Sequence, residues 1–385
     1  MRLGLLLFGT AIGLVGIAGA VRRRSSPPGG SLLFFGTQAD EPGCGIVTAR
    51  LDNATGALTS LGLAAEAPRP TWLLHDPGRN LLLAVNELGN AGDCEGAVQS
   101  FAVDAGSGRL RPLSRTGSGG GGATHLDLAP DGRTLFVANF GGGEVSALPV
   151  APDGTLGRVR SVKVNSGSGP HRRQQGPHAH GVTLDPSGRF LLVPDMGADR
   201  VFVYRFDRAA MQLEPAKPPF VEMPPGSGPR LVVFGPSGRF AYLLTELSAE
   251  IFAFRWNAGQ GNLTQIGRLA LDAPAAEGPP SAAALMISHD GRRLYASNRH
   301  TNEIQVYALD RASGLPREMQ RVPSGGIRPW DATLSPDGRW LVVANQGSDN
   351  VTVFAVNLRD GMLTPTRTAL SVPVPTSVVF AGAVP

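Results

Sequence analysis

Apolar and polar positions in this chain repeat on a scale longer than any single strand. Six almost wholly apolar runs each follow a small turn carrying a Gly-Arg pair, and each ends in a polar residue. They read DPGRNLLLAVN (76–86), PDGRTLFVAN (130–139), PSGRFLLVPD (186–195), PSGRFAYLLTE (236–246), HDGRRLYASN (289–298) and PDGRWLVVAN (336–345). The arginines at 79, 133, 189, 239, 292 and 339 stand 54, 56, 50, 53 and 47 residues apart, a period that suits propeller blades with long loops.

Each repeat predicts four strands. A short alternating strand such as GVTLDP or ATLSP precedes Pro-Asp-Gly or Pro-Ser-Gly, a tight turn in which glycine is free to take positive φ. The apolar run that follows reads as a strand buried on both faces. A third strand comes after a polar loop, as in GAVQSFAVD, DRVFVYRFD, NEIQVYALD and DNVTVFAVN, and Gly-x-Leu announces a fourth at Gly108, Gly154 and Gly361. Four antiparallel strands make one twisted blade, and blades stacked in a ring share a core that none could bury alone.

The chain ends complete the ring. PTSVVFAG (375–382) reads as a lone first strand, whereas SLLFFGT (31–37), GIVTARLD (45–52) and GALTSLG (56–62) read as strands two to four. Joined, they form a seventh blade and leave no open sheet edge. The expected fold is therefore all-β, a seven-bladed β-propeller over residues 31–385, closed by a C-terminal strand on the N-terminal blade.

Composition agrees: 51 glycines and 32 prolines among 385 residues, with 6% aromatics, suit many short strands and turns. The net charge of +4 misleads, because Arg2, Arg22, Arg23 and Arg24 precede any acidic residue. Setting those four aside leaves 31 basic residues against 31 acidic ones, so no nucleic acid partner is expected. Leu3 to Val21 is an uncharged run of 19 residues with Ala18-Gly19-Ala20 near its end. It resembles a secretory signal and is also long enough to anchor in a bilayer, the choice favoured by the arginines that follow it; a start codon assigned too far upstream is the third reading. Residues 1–24 are thus expected to be a signal peptide or membrane anchor, with export or membrane attachment, and residues 25–30 a linker. Without a true signal there, the protein would be cytoplasmic. Cys44 and Cys94, at nearly equivalent positions of two blades, are expected as buried thiols, with a bridge conceivable in an oxidising compartment. Zinc-type Cys/His spacing, a carboxylate ring for calcium and a dinucleotide fingerprint are all missing from the sequence, so neither metal nor cofactor is expected.

Strand order turns the repeat into a map. The start of each first strand and the end of each second strand open onto one face near the ring axis. The starts carry Arg69, His125, His178, His180, Arg230, Ser281, Arg328 and Trp330; the ends carry Gln38, Asn86, Glu87, Asn139, Asp195, Glu246, Asn298, Arg299, Asn345 and Gln346. Arginines from several blades around one cavity offer forked donors to a carboxylate or phosphate, and histidine with glutamate offers acid and base. A small anionic molecule fits such a lining.

The stretches RRQQGPHAHGVTLDPSGRFLLVPDMGADRVFVYRFD (172–207), GPRLVVFGPSGRFAYLLTELSAEI (228–251), LYASNRHTNEIQVY (294–307) and VANFGGGEVSALPV (137–150) resemble the seven-bladed lactonases, which include propeller-type 6-phosphogluconolactonases and fungal carboxy-cis,cis-muconate cyclases. The resemblance covers essentially all of residues 31–382. It implies that the family's proposed catalytic groups fall on His180, Arg230, Glu246 and Arg299, while Leu231 stands where many lactonases have a histidine. His178, Asp195, Arg328 and Glu87 are expected around the substrate. The function implied is opening of an anionic or sugar-acid lactone, with Arg230 and Arg299 holding the anion and carbonyl oxygen, His180 as acid or base, and Glu246 orienting it. The alternatives are a lactonising cyclase or a non-catalytic binding platform, since fold alone does not decide activity.

Overall fold

The computed structural model describes residues 30–39, 41–272 and 277–382. They form seven four-stranded sheets, each antiparallel. Blade 1 holds the strands of residues 31–66 together with Pro375–Ala381, and blades 2 to 7 follow in order over residues 73–117, 123–164, 183–222, 229–270, 282–323 and 329–371. The closing strand pairs directly with Ser31–Thr37, with Leu33 opposite Phe380 and Phe35 opposite Val378. Blade 1 is thus assembled from both ends of the chain, as the incomplete repeats predict.

The turn signature works as its residue types dictate. Gly132, Gly188, Gly238, Gly291 and Gly338 each have φ between 67° and 71°, and each donates its N–H to the carbonyl three residues back. In DPGRN, where Asp76 pairs with Leu81 across the turn and the glycine stands one place earlier in it, the positive φ falls on Asn80, at 50°. The run after each turn is buried along its whole length in blades 2, 3, 4, 5 and 7. Blade faces then pack on each other: Leu33 and Phe35 of blade 1 join Trp340, Val342 and Val353 of blade 7 in one cluster, and Phe190 and Leu192 of blade 4 join Leu243, Phe252 and Trp256 of blade 5 in another.

Polar links cross the blade boundaries as well. On the inner strands Asp127 accepts from Leu184 N at 2.6 Å, Asp331 from Val378 N at 2.9 Å, and Ser377 Oγ from Leu73 N at 3.1 Å. Among the turn arginines, Arg79 donates to Ala151 O at 3.2 Å and Arg189 donates to Ala258 O, each on the next blade. The Gly-Arg signature is therefore a tie between neighbours as well as a turn.

Two expectations need correction. Leu156 after Gly154 forms only an isolated bridge with Val150, and the fourth strand of blade 3 is Ser161–Val164, because the chain runs on through Arg158 before rejoining the sheet. Cys44 and Cys94 are free thiols, but Cys44 is only half-buried and Cys94 is exposed, since both lie in loops beyond the strand ends. The expected signal or anchor at 1–24 lies outside the described residues, as does most of the 25–30 linker; among the described residues no helix is long and apolar enough to cross a membrane.

Ending the chain before Pro375 removes the buried Val378 and Phe380 and bares the edge of blade 1. The expected outcome in calorimetry is loss of the cooperative transition or a midpoint lowered by at least about 10 °C. An unchanged midpoint would show that closure contributes nothing.

Candidate functional site

The residues at the hub are aimed by a repeated irregularity. In blades 3, 5, 6 and 7 the pairing of the inner strand with its neighbour shifts register within its first residues: between Ala123 and His125, Pro229 and Leu231, Ala282 and Leu285, and Pro329 and Asp331. Such an extra residue is left out of the ladder and its side chain is re-aimed. The residues skipped are Thr124, Arg230 and Trp330 in blades 3, 5 and 7, and all three line one cavity. Blade 4 does the same, since Ala179 pairs with Asp195 and Thr183 with Leu192, so the stretch containing His180 is one residue longer than its partner.

Glu246 is the centre of this cluster. It leaves the second strand of blade 5 and is 3% exposed. Its Oε2 accepts from Arg230; its Oε1 accepts from Arg173 at 2.6 Å and faces Arg299 at 3.1 Å. Arg230 also donates through Nε to Ala283 O at 2.9 Å and contacts His180 Nε2. Three guanidinium groups thus surround one carboxylate, an excess of two positive charges. Burial opposes ionisation of Glu246, but Arg299 and Arg230, aided by His180 and Arg173, outweigh it and hold its carboxyl well below the usual range. Burial also lowers Arg299, to about 10, against the pull of Glu246, so it remains charged at neutral pH.

The imidazole of His180 is driven the opposite way. Burial first, and then the charge of Arg230, push its pKa well below the ordinary value despite Glu246. His180 is neutral near pH 7, with Nε2 facing a guanidinium donor. The proton of the neutral ring therefore sits on Nδ1, which is buried and has no hydrogen-bond partner. Glu246 Oε2 is 3.6 Å from Nε2, beyond a normal hydrogen bond; Arg230 is the group that orients the ring.

A cavity of about 210 Å³ opens beside this cluster. Trp72, Phe140 and Trp330 wall it; His180, Arg230, Glu246 and Arg173 occupy one side, and Gln38, Thr71, Glu87 and Asn90 contribute polar groups elsewhere. Trp330 lies under both Arg230 and Arg299, at 5.5 and 4.5 Å, within cation–π range. Thr71 Oγ1 is buried without a partner. A larger hollow of about 310 Å³ lies at the turn end of blades 6 and 7, but its His289 and Tyr295 are bonded to backbone carbonyls, so it offers no comparable convergence.

His180, Arg230, Glu246 and Arg299 are brought together as the sequence map predicts, and Glu87 lines the same cavity. Three expected substrate neighbours are placed otherwise. His178 stacks on Phe140, with ring centroids 4.5 Å apart, and its Nδ1 contacts Phe140 O at 2.7 Å. Asp195 Oδ1 accepts from the backbone N–H groups of His178, Gly197 and Ala198, and its Oδ2 accepts from Asn165, so its carboxylate caps a turn. Arg328 is exposed, 5.6 Å above Trp330. Arg69 turns to the carbonyls of Glu87 and Gln38. His125, at a strand start, stacks on Trp72 at 4.2 Å and lines the cavity. Arg173 was not foreseen, since it belongs to an inter-blade loop that strand order alone does not map; the nearest signal is the Arg-Arg pair just ahead of GPHAHG.

Residues 32–380 match the family described as Lactonase, 7-bladed beta-propeller, and the chain belongs to that family. It is 28% identical over 347 residues to a 6-phosphogluconolactonase of Bacillus subtilis, covering 90% of this chain and 97% of that protein, and 27% identical to a 6-phosphogluconolactonase of Formosa agariphila, covering 86% and 94%. The structure of the periplasmic gluconolactonase of Pseudomonas aeruginosa superposes with a TM-score of 0.86 at 38% identity, over 92% of this chain and 99% of that one.

The charge count at Glu246 predicts unequal mutants. Glu246→Ala leaves buried Arg230 and Arg299 without a counter-charge and should cost about 3–5 kcal/mol. Arg230→Ala leaves Glu246 paired with Arg299 and Arg173 and should cost clearly less. Urea unfolding checks the order, and equal losses would contradict the account of the cluster.

Proposed function

We propose that this protein hydrolyses a sugar-acid lactone in the hub cavity, with His180, Arg230, Glu246 and Arg299 as the working groups. The observation that carries this reading is the excess of guanidinium over carboxylate charge around a small aromatic-walled cavity, with buried Thr71 Oγ1 and His180 Nδ1 left for a ligand to satisfy. Aromatic walls suit the apolar face of a sugar ring, and scattered polar groups suit its hydroxyls.

Water attacks the carbonyl carbon, and negative charge gathers on the carbonyl oxygen. Arg230 and Arg299 donate to that oxygen, a stabilisation that grows as the charge develops. The bond from carbon to ring oxygen then breaks, and the leaving oxygen, which accepts a hydrogen bond from His180 Nδ1, takes up the proton released by the attacking water through solvent in the cavity, so that the water has supplied hydroxyl to carbon and hydrogen to the ring oxygen. The acid formed ionises and releases its proton to solvent. Glu246 holds the two arginines in place. The similar protein of Pseudomonas aeruginosa is a periplasmic gluconolactonase, which supports reading residues 1–24 as an export or anchoring segment of this chain.

Two measurements test the proposal. Protein from Ser31 onward, offered a panel of lactones with acid release followed by indicator, should open at least one, and Arg230→Ala should reduce kcat/KM by about 100-fold or more while keeping the wild-type circular dichroism; wild-type turnover in that variant would remove Arg230 from the mechanism. Neither Glu246 nor His180 titrates near neutrality, while burial raises Asp331, which feels the charge of Arg230, to about 7, so kcat/KM should show at most one step between about pH 6 and 8. A bell centred there would contradict a neutral, donor imidazole.

A further inference from the structure

The three guanidinium groups on Glu246 are not equivalent. Arg230 and Arg299 project from strand ends, each 4% exposed. Arg230 is further fixed by Ala283 O, and both lie over the ring of Trp330. Arg173 comes from the loop between blades 3 and 4, and its side chain is 42% exposed. Among the described residues its guanidinium has one hydrogen-bonded partner, Glu246 Oε1, which also faces Arg299.

The backbone beneath Arg173 is held firmly. Gln174, fully buried, donates to Met196 O at 2.8 Å and to Asp199 at 2.7 Å, and its Oε1 accepts from His171 N at 3.0 Å. Arg173 therefore combines a fixed base with a solvent-facing head at the edge of the cavity it lines. Losing one contact would not leave Glu246 unneutralised, because Arg230 and Arg299 remain.

We infer that Arg173 is a specificity-determining residue that exchanges its ion pair with Glu246 for one with a second negative group on the lactone, so that the preferred substrate carries a carboxylate or phosphate away from the ring being opened. This rests on the lactonase reading above. The two charges in excess at the hub are accounted for in this way: the inner arginines meet the developing carbonyl charge, and the outer one meets the permanent charge. An exposed guanidinium is already hydrated, so changing partners costs it little desolvation, whereas a buried one would have to leave an apolar enclosure.

The test compares wild type, Arg173→Ala and Arg173→Lys on three lactones: one neutral (glucono-1,5-lactone), one with a phosphate (6-phosphogluconolactone) and one with a carboxylate (glucarolactone). The ratio of kcat/KM for a charged lactone to that for the neutral one should fall by about tenfold or more in Arg173→Ala, the worth of one charge-assisted hydrogen bond. The fall should lie mainly in KM, with part of the ratio recovered in Arg173→Lys. A loss confined to the phosphate arm or to the carboxylate arm identifies which group is read. An unchanged ratio, with equal losses on all three, overturns the proposal and leaves Arg173 a support for Glu246. If wild type opens none of the lactones the lactonase reading itself fails. Calorimetry with the ring-opened acids, which needs no turnover, still decides on Arg173: a selective loss of affinity for 6-phosphogluconate or glucarate over gluconate supports its role, and no selective loss refutes it.

Discussion

A carboxylate out of water needs compensating charge or hydrogen bonds, and for Glu246 at the hub three guanidinium groups supply them. Its neutralising partners come from three places far apart in sequence: Arg173 before blade 4, Arg230 at the start of blade 5 and Arg299 after the second strand of blade 6. None of these side chains could be buried by itself without a large desolvation cost. The ion cluster therefore ties blades 4, 5 and 6 together at the very place where the pocket forms. It also sets the state of His180, whose neutral form follows from burial beside Arg230.

The architecture could be read from the chain because its signals are local and repeated. The glycine of each turn, the apolar run behind it and the unmatched strands at both ends led to seven blades and to the closure by Pro375–Ala381. The errors arose where local signals compete with the geometry of the ring. Gly154 and Leu156 carry the fourth-strand signature, yet the strand waits until Ser161 because sheet pairing, not the turn, decides where a strand begins.

The hub was legible in part. Strand order alone brought His180, Arg230, Glu246 and Arg299 to one face, and the resemblance to known lactonases singled them out. Strand order could not tell which side chains at that face turn inward. Asp195 is the last residue of its strand and Glu246 the first beyond the end of the corresponding one, and Asp195 is taken up by backbone N–H groups of its own turn while Glu246 reaches guanidinium groups. His178 and His180 are two residues apart, and a stacking contact with Phe140 holds only the first away from the cavity. Arg173 escaped because a loop carries no periodicity by which to place it.

The shifts of register at the inner strands carry a consequence for how such a pocket can change. A residue left out of the ladder has no partner opposite it, so its identity is free of the cross-strand fit that constrains its neighbours. Thr124, Arg230 and Trp330 are a small polar, a charged and an aromatic residue at corresponding places of three blades. The ring thus behaves as a set of interchangeable sockets, in which new chemistry could be installed at the hub one blade at a time while the scaffold keeps its fold.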